Sequence, residues 1–281
     1  MSPKPSMRGY RAISAALEAH RGSFQSFLRL LNREKVPYLS YSKIASVEFC
    51  AYRYYLEYVA GVRLRPEPSY FAKGRTFHMA AERVYRRIAR GANLDKAGLE
   101  PLIRKHEDKD DQRHLRNAVQ LLVENAMKGW EVVGVEEPFV LSLGPNLPPC
   151  IGVVDLVLRK AGRLAVIDHK TGKKFGNTDA LQVAVYRRYA LTKHRAGECL
   201  AFFDEYRWVN DLGRIHKPAF QRTSVRLRST AWPSAVRRFA KGHQRIRRVE
   251  QERDAPRTGE CYMCAFRKVC DRAAYTSSSW W

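Results

Sequence analysis

No run of apolar residues in the sequence is long enough to span a bilayer. Its first residues, MSPKPSMRGYRAISAALEAHRG, carry no continuous apolar stretch of the kind a secretory leader needs. Both absences predict an intracellular, cytoplasmic protein. Internal repeats and low-complexity tracts are missing, and so is the G-x4-G-K-S/T loop that cradles nucleotide phosphates, which excludes an ATP-driven motor. Acidic side chains are scarce: 28 Asp and Glu stand against 51 Lys and Arg, a formal charge of +23. That balance points to a polyanionic partner, nucleic acid first and an anionic membrane surface second. Cysteine occurs only six times, and in a reducing compartment the six read as metal ligands or buried thiols rather than disulfides. Against these absences stand 281 residues, 45% of them hydrophobic, enough for a substantial core in one large domain or one domain with appendages.

The most informative stretch is Cys150 to Thr171, CIGVVDLVLRKAGRLAVIDHKT. GVVDLVLR and LAVIDHK are short runs of Val, Ile and Leu, and Ala161-Gly162 between them supplies the glycine a tight turn needs. A hairpin centred there sets Arg159 opposite Leu164 and Asp155 opposite Asp168, with Lys170 on the same face as Asp168 because side chains alternate with period two. Two opposed carboxylates on an apolar hairpin repel, and burial worsens the conflict. A bound cation removes it. Mg²⁺ or Mn²⁺ suits carboxylate oxygen, and a neighbouring ammonium can steady a hydroxide or the charge of a phosphorane. A surface hairpin with an ordinary Asp/Lys ion pair accounts for D-x12-D-x-K equally well.

The flanking segments give a coarse frame. Residues 1 to 36 are basic, with Ile13, Leu17, Phe24, Phe27, Leu28 and Leu31 at the spacing of one or two amphipathic helices. In YLSYSKIASVEFCAYRYYLEYVAGVR, Ser40 or Ser42 can cap a helix that turns Ile44, Val47 and Cys50 inward. Tyr52, Tyr54, Tyr55 and Tyr58 beside Arg53 read as core or groove packing before base stacking. After Pro66 and Pro68, FAKGRTFHMAAERVYRRIARG places Phe77, Ala81, Val84 and Ile88 on one helix face and His78 with Glu82 on a neighbouring stripe. Residues 94 to 130 read as helical with a solvated charged face.

WEVVGVEEPFVLSL reads as a strand on which Glu136 and Glu137 either support the site of the following hairpin or, as is commoner, lie exposed. Asn177 or Thr178 can cap a helix that puts Gln182 and Tyr186 on one face. CLAFFDEYRWV and RIHKPAFQRTSVRL read as strands about an Asp211-Leu212-Gly213 turn, followed by a helix from about Trp232 to Glu250. From Arg207 to Arg272 there are 17 Lys and Arg against 6 Asp and Glu, a clustering suited to tracking phosphates.

Cys261, Cys264 and Cys270 form C-x2-C-x5-C, a knot of three thiolates whose fourth ligand Cys50 can supply. Four cysteines suit tetrahedral zinc or an iron–sulfur cluster, and spacing alone leaves both open. Cys150 and Cys199 fall in strands and read as buried thiols.

In order, the chain presents S-x-S-x-I ending in a cysteine (Ser40 to Cys50), G-x3-H (Gly74 to His78), G-x-x-D (Gly152 to Asp155), D-x-K-T-G (Asp168 to Gly172), Q-x3-Y (Gln182 to Tyr186) and the terminal cysteine knot. Over residues 38 to 272 this succession resembles the RecB-like branch of the PD-(D/E)XK nuclease superfamily. The nearest resemblance is to its iron–sulfur members, the CRISPR-associated RecB-like exonuclease and the AddB-type nuclease domain. Val154 stands where the superfamily name has proline, Asp168 where many members have Glu, and Ala51 where proline is frequent; no functional group is lost.

The resemblance implies an α/β, restriction-endonuclease-like core, a central mixed β-sheet flanked by helices. Residues 1–37 become a basic extension and 38–272 the nuclease domain, with a helical insertion at 94–130, a catalytic core at 131–208, and a basic helix and iron–sulfur region at 229–272. Residues 273–281 are a tail. His78, Asp155, Asp168 and the carbonyl of His169 are implied ligands of one or two Mg²⁺ or Mn²⁺ ions. Lys170 positions or activates the water, while Gln182 and Tyr186 orient the substrate strand. Cys50, Cys261, Cys264 and Cys270 hold a 4Fe-4S cluster, rather than zinc, as a clamp joining the two ends.

The implied activity is a metal-dependent deoxyribonuclease, an exonuclease at single-stranded DNA ends in repair, recombination or CRISPR-type processing, with a helicase or recombination protein as partner and no membrane. The rival is an accessory protein that keeps fold and cluster to grip DNA without cutting it. A third reading is a zinc-stapled RNA-binding protein.

Overall fold

Ala161 and Gly162 both adopt positive φ, 48° and 75°, the backbone a two-residue hairpin turn demands. They join β2 (Cys150–Lys160) to β3 (Arg163–Gly172) as expected, with Arg159 opposite Leu164 and Leu156 opposite Ile167. One step further along the same register come Asp155 and Asp168.

The computed structural model describes residues 10–20, 23–64, 69–91, 99–172, 175–176, 178–207 and 218–273. They divide into two compact units. One comprises residues Met1–Pro68, Val140–Ile151 and Val236–Trp281, the other Ser69–Phe139 and Gly152–Ala235.

The hairpin belongs to the second unit. Its five-stranded sheet is ordered β1-β2-β3-β4-β5, with β1 at Glu131–Leu141, β4 at Cys199–Arg207 and β5 at Ala219–Ser224. β3 and β4 are parallel, whereas β2/β3 and β4/β5 are antiparallel, so the sheet is mixed. A parallel pair needs a crossover, which is α8 (Ala180–His194).

Alternation along the central strands divides the residues between two faces. Leu156, Leu158, Ala165 and Ile167 join Phe77, Ala81 and Val84 of α5 (Ser69–Ala89) and Leu115, Val119 and Leu122 of α7 (Lys109–Glu124) in one apolar cluster. α6 (Glu100–Ile103) adds Ile103 to it. The opposite parity carries Asp155, Val157, Val166, Asp168 and Lys170. Such a helix-flanked mixed sheet is the α/β, restriction-endonuclease-like architecture.

In the first unit, α1 (Tyr10–Ala19) and α2 (Phe24–Arg33) bury Ile13, Leu17, Phe27 and Leu31 against Val140 and Ile151. α3 (Tyr41–Phe49) is capped by Ser40, whose side chain accepts from the Lys43 amide at 3.2 Å. α4 (Ala51–Tyr54) runs directly into a π-helical turn over Tyr55–Val59. Tyr52 and Tyr54 are buried and stack on Tyr55 and Tyr58, which makes the first two core packing, while Tyr58 stays exposed. α9 (Ala231–Glu252) approaches α3 so closely that a Cβ at Gly242 would lie 2.6 Å from Ile44 Cδ1. Arg238 pairs with Glu48 at 2.6 Å, and the Tyr54 hydroxyl donates to Glu250 at 2.8 Å.

One expected detail differs. The N-cap of α8 is Asp179, accepting from the Leu181 amide at 2.9 Å, and not Asn177 or Thr178, because its carboxylate reaches the amide two residues on. Asn177, Pro66, Pro68 and the Asp211-Leu212-Gly213 turn lie outside the described residues, as do 1–9 and 274–281. No helix among the described residues is long and apolar enough to cross a membrane.

Candidate active site

Gly152 sits where a Cβ would lie 2.8 Å from the Phe139 ring, so only glycine lets the strand run beneath that ring three residues before Asp155. Asp155 is 9% exposed and Asp168 1%. Asp155 Oδ2 accepts from the His169 amide at 2.8 Å, and Lys170 Nζ stands 2.7 Å from Asp168 Oδ2 as an ion pair without hydrogen-bond alignment. The ammonium also donates to Gln182 Oε1 at 2.8 Å, and Gln182 Nε2 donates to the Tyr186 hydroxyl at 2.9 Å. Asp168, Lys170, Gln182 and Tyr186 are thus one connected line across β3 and α8.

His78, on α5, brings Nδ1 to 3.7 Å from Asp155 Oδ2 and to 3.5 Å from Glu136 Oε1. Ligand atoms of His78, Glu136 and Asp155 all lie within 4.8 Å of one another. Glu136, for which the sequence left support of the site and exposure both open, has a side chain 26% accessible and turned to this cluster. The cause is local: Glu136 has φ 45° in the middle of β1, a left-handed residue that interrupts the strand's alternation of side chains. Arg86 donates to the neighbouring Val135 carbonyl at 3.4 Å, and Lys193 pairs with Glu137, holding the kink from α5 and α8. Pro138 inside a strand belongs to an edge or a bulge, and β1 is an edge strand.

The electrostatics follow from burial and like charge. Burial, then the carboxylate of Asp155, push Asp168 up to about 7. Burial raises Asp155 too, against the pull of His78. Burial would lower His78, but Asp155, Glu136 and Asp168 together raise it to about 9. Burial holds His169 neutral, well below its usual range; its ring stacks on Tyr85 at 5.7 Å, on the sheet face away from the carboxylates, so its backbone alone serves the site. Burial keeps the Tyr186 phenol protonated. A carboxylate-rich cluster with one imidazole nitrogen, whose buried carboxylates repel one another, fits a divalent cation.

The family model for the PD-(D/E)XK nuclease superfamily matches residues 38–271. The chain belongs to the PD-(D/E)XK nuclease superfamily. Members of this superfamily use divalent metals, in keeping with the His/Glu/Asp cluster. Among solved structures, a protein from Eubacterium rectale described as "putative exonuclease" aligns with a TM-score of 0.51 at 13% identity, covering 83% of this chain and 87% of that one. That likeness concerns the fold. A protein designated SSO0001 aligns with a TM-score of 0.33 at 16% identity over 81% of this chain and 97% of that one. No curated protein matches.

This PD-(D/E)XK chain has a second candidate centre, in its first unit. Cys50, Cys261, Cys264 and Cys270 line one cavity together with Phe49, Leu56 and Phe266 and with Arg53, Arg257 and Arg267. Burial alone would raise the Cys50 thiol, but backbone amides of Thr258, Arg53, Gly259 and Tyr52 directed at its sulfur lower it. Arg257 Nη1 donates to Cys261 Sγ at 3.3 Å. Burial raises the thiols of Cys264 and Cys270, so the lowered Cys50 is the one already favoured as a thiolate, and four thiols lining one cavity suit a thiophilic metal centre. Among the described residues, no three cysteine sulfurs lie mutually within 4.8 Å. Cys150 and Cys199 are buried, with burial raising Cys150 and holding Cys199 at about 12.

Proposed function

We propose that the chain is a divalent-cation-dependent deoxyribonuclease, an exonuclease of the RecB-like branch that hydrolyses phosphodiester bonds at single-stranded DNA ends. The observation that carries this reading is the unbroken line Asp168–Lys170–Gln182–Tyr186 beside a second buried carboxylate, Asp155. Asp155, Asp168 and the His169 carbonyl, with His78, would hold Mg²⁺ or Mn²⁺, which supplies Lewis-acid stabilisation of phosphate oxygen and a more acidic water.

The protein's own groups do the rest. The Lys170 ammonium, held between Asp168 and Gln182, is fixed in position to donate to an attacking hydroxide and to the phosphoryl oxygens on which negative charge grows. Gln182 keeps that ammonium from swinging away, and the protonated Tyr186 phenol fixes the rotamer of Gln182. Burial of Asp155 and Asp168 excludes bulk water, which strengthens each of these interactions.

We read Cys50, Cys261, Cys264 and Cys270 as the ligands of a 4Fe-4S cluster that clamps the cysteine at the end of α3 to the carboxy-terminal knot. The preference for the cluster over zinc rests on the likeness of the motif succession to the iron–sulfur members of the RecB-like branch. A helicase or recombination partner, and a role in repair, recombination or CRISPR-type processing, belong to the same reading. So does the assignment of 38–272 as the nuclease domain.

The test is anaerobic purification of the wild type and Asp168→Ala, an absorbance spectrum of each, and incubation with end-labelled single-stranded DNA in Mn²⁺ or EDTA. The reading expects brown protein in both, cation-dependent degradation by the wild type alone, and DNA binding by both. Binding without cleavage by the wild type, whatever the cation or end structure, replaces it with a DNA-gripping accessory protein. A colourless protein that contains zinc removes the cluster.

A further inference from the structure

We propose that Glu136 is a cation ligand: with His78 and Asp155 it forms a cation position beside the one carried by Asp155, Asp168 and the His169 carbonyl, Asp155 bordering both. Its use in cleavage rests on the nuclease reading; its geometry does not.

The three donors converge. A carboxylate that merely orients a ligating imidazole takes the ring nitrogen the metal does not use. Here both carboxylates face the same nitrogen: His78 Nδ1 lies 3.5 Å from Glu136 Oε1 and 3.7 Å from Asp155 Oδ2. All three ligand atoms fit within 4.8 Å of one another. Neighbouring donors around a hexacoordinate ion with bonds of about 2.1 Å stand about 3 Å apart, so occupancy asks the two carboxylates to move about 0.5 and about 0.7 Å closer to His78 Nδ1 and the three donors to draw together from within 4.8 Å.

Asp168 does not join this triple; its Oδ2 faces Lys170 at 2.7 Å, on the Gln182 side of the site. The basic side chains near the triple are otherwise engaged. Arg86 pairs with Glu82 at 2.8 Å, Lys193 pairs with Glu137, and Lys170 is shared between Asp168 and Gln182. The Glu136 carboxylate therefore faces His78 and Asp155. Two cation positions with a common carboxylate match the arrangement in which paired ions, about 3.5–4 Å apart, contact both the attacking and the leaving oxygen.

The donor set also selects the ion. One imidazole nitrogen with two carboxylate oxygens is softer than an all-oxygen site and favours Mn²⁺ over Mg²⁺. This position should therefore fill with Mn²⁺ at concentrations where Mg²⁺ leaves it largely empty.

The experiment counts Mn²⁺ bound to the full chain by electron paramagnetic resonance of the free aqua ion, for wild type, Glu136→Gln, Glu136→Asp and Asp168→Asn. Far-UV circular dichroism and a thermal melt of each report folding. The expected result is one Mn²⁺ fewer in Glu136→Gln than in wild type, or one bound at least tenfold more weakly. Glu136→Asp should recover part of that affinity, and Asp168→Asn should retain a bound Mn²⁺ with imidazole-nitrogen modulation in its pulsed spectrum. A folded Glu136→Gln that binds as many ions as wild type at the same affinity overturns the inference. If Mn²⁺ behaves as stated and wild type cuts no DNA, the nuclease reading fails and the cation position stands; if wild type cuts DNA while Glu136→Gln binds Mn²⁺ normally, only the inference fails.

Discussion

Lys170 is the side chain on which the proposed chemistry turns, because it pairs with the buried Asp168 carboxylate and donates to Gln182 of the neighbouring helix. Replacing it with Met keeps the stem packed and removes the charge. Cleavage should fall by about 10²–10³-fold, the range for losing a single transition-state donor, while Mn²⁺ binding and single-strand affinity change little; single-turnover cleavage and a filter-binding titration separate the two. Asp168 supports a second prediction, with its sign set by linkage. Its folded carboxyl is held up to about 7 against an ordinary 3.8. Between those values the folded state keeps a proton that the unfolded state has lost, so the cation-free protein loses stability as pH rises from about 4 to 7. Asp168→Asn removes that loss and should raise the melting temperature of EDTA-treated protein at pH 7, but not at pH 4. The pairing of Asp155 with Asp168 was legible in the sequence because a glycine fixed the turn and period two fixed the face. Glu136 was legible only as the less common of two readings, because a single residue at positive φ breaks the alternation from which exposure is read.

At the scale of elements, helix faces were easier to read than their ends. The face shared by Gln182 and Tyr186 needs only the spacing of four residues, and the structure hydrogen-bonds the two directly. The cap of α8 depended on which of several polar side chains reaches an amide, a choice among Asn177, Thr178 and Asp179 that spacing does not make. The π-helical turn at Tyr55–Val59 leaves no periodic signature of its own in so short a stretch. The crossing near the cysteines is a further case, since a close approach between segments remote in sequence is invisible until the chain is folded. Gly259 passes Phe49 so tightly that a Cβ would lie 2.2 Å from the Phe49 carbonyl oxygen and 2.9 Å from Cys50 Cβ. Backbone cannot yield there as a side-chain tip can. Gly259→Ala should therefore lose cluster absorbance and lower the melting temperature, as overpacking costs about 1–3 kcal/mol. Gly197→Ala, a position with nothing within 4 Å, is the control that should do neither.

For the whole molecule the dominant sequence property is its charge, and the structure limits how much of that charge can meet a nucleic acid. Of the basic residues clustered from Arg207 onward, Arg222 is committed to buried Asp204 at 2.6 Å, Arg238 to Glu48 at 2.6 Å and Arg272 to Asp254 at 2.8 Å. The count of 17 in that region therefore overstates the phosphate-binding capacity, which composition alone could not reveal because pairing is a property of the fold. Lys241, Arg245 and Arg248 differ: all three are exposed, and their spacing of four and three residues puts them on one face of α9. If that face tracks a single strand, each phosphate contact contributes about −0.7 to the slope of log affinity against log salt. Replacing the three with Gln should flatten the slope by about 2 and weaken binding most at low salt. Cleavage at saturating DNA and Mn²⁺ binding should stay at wild-type levels, since none of the three belongs to the carboxylate site. A triple variant with an unchanged slope would move the strand's path to another face of the protein, leaving the catalytic assignment where it is.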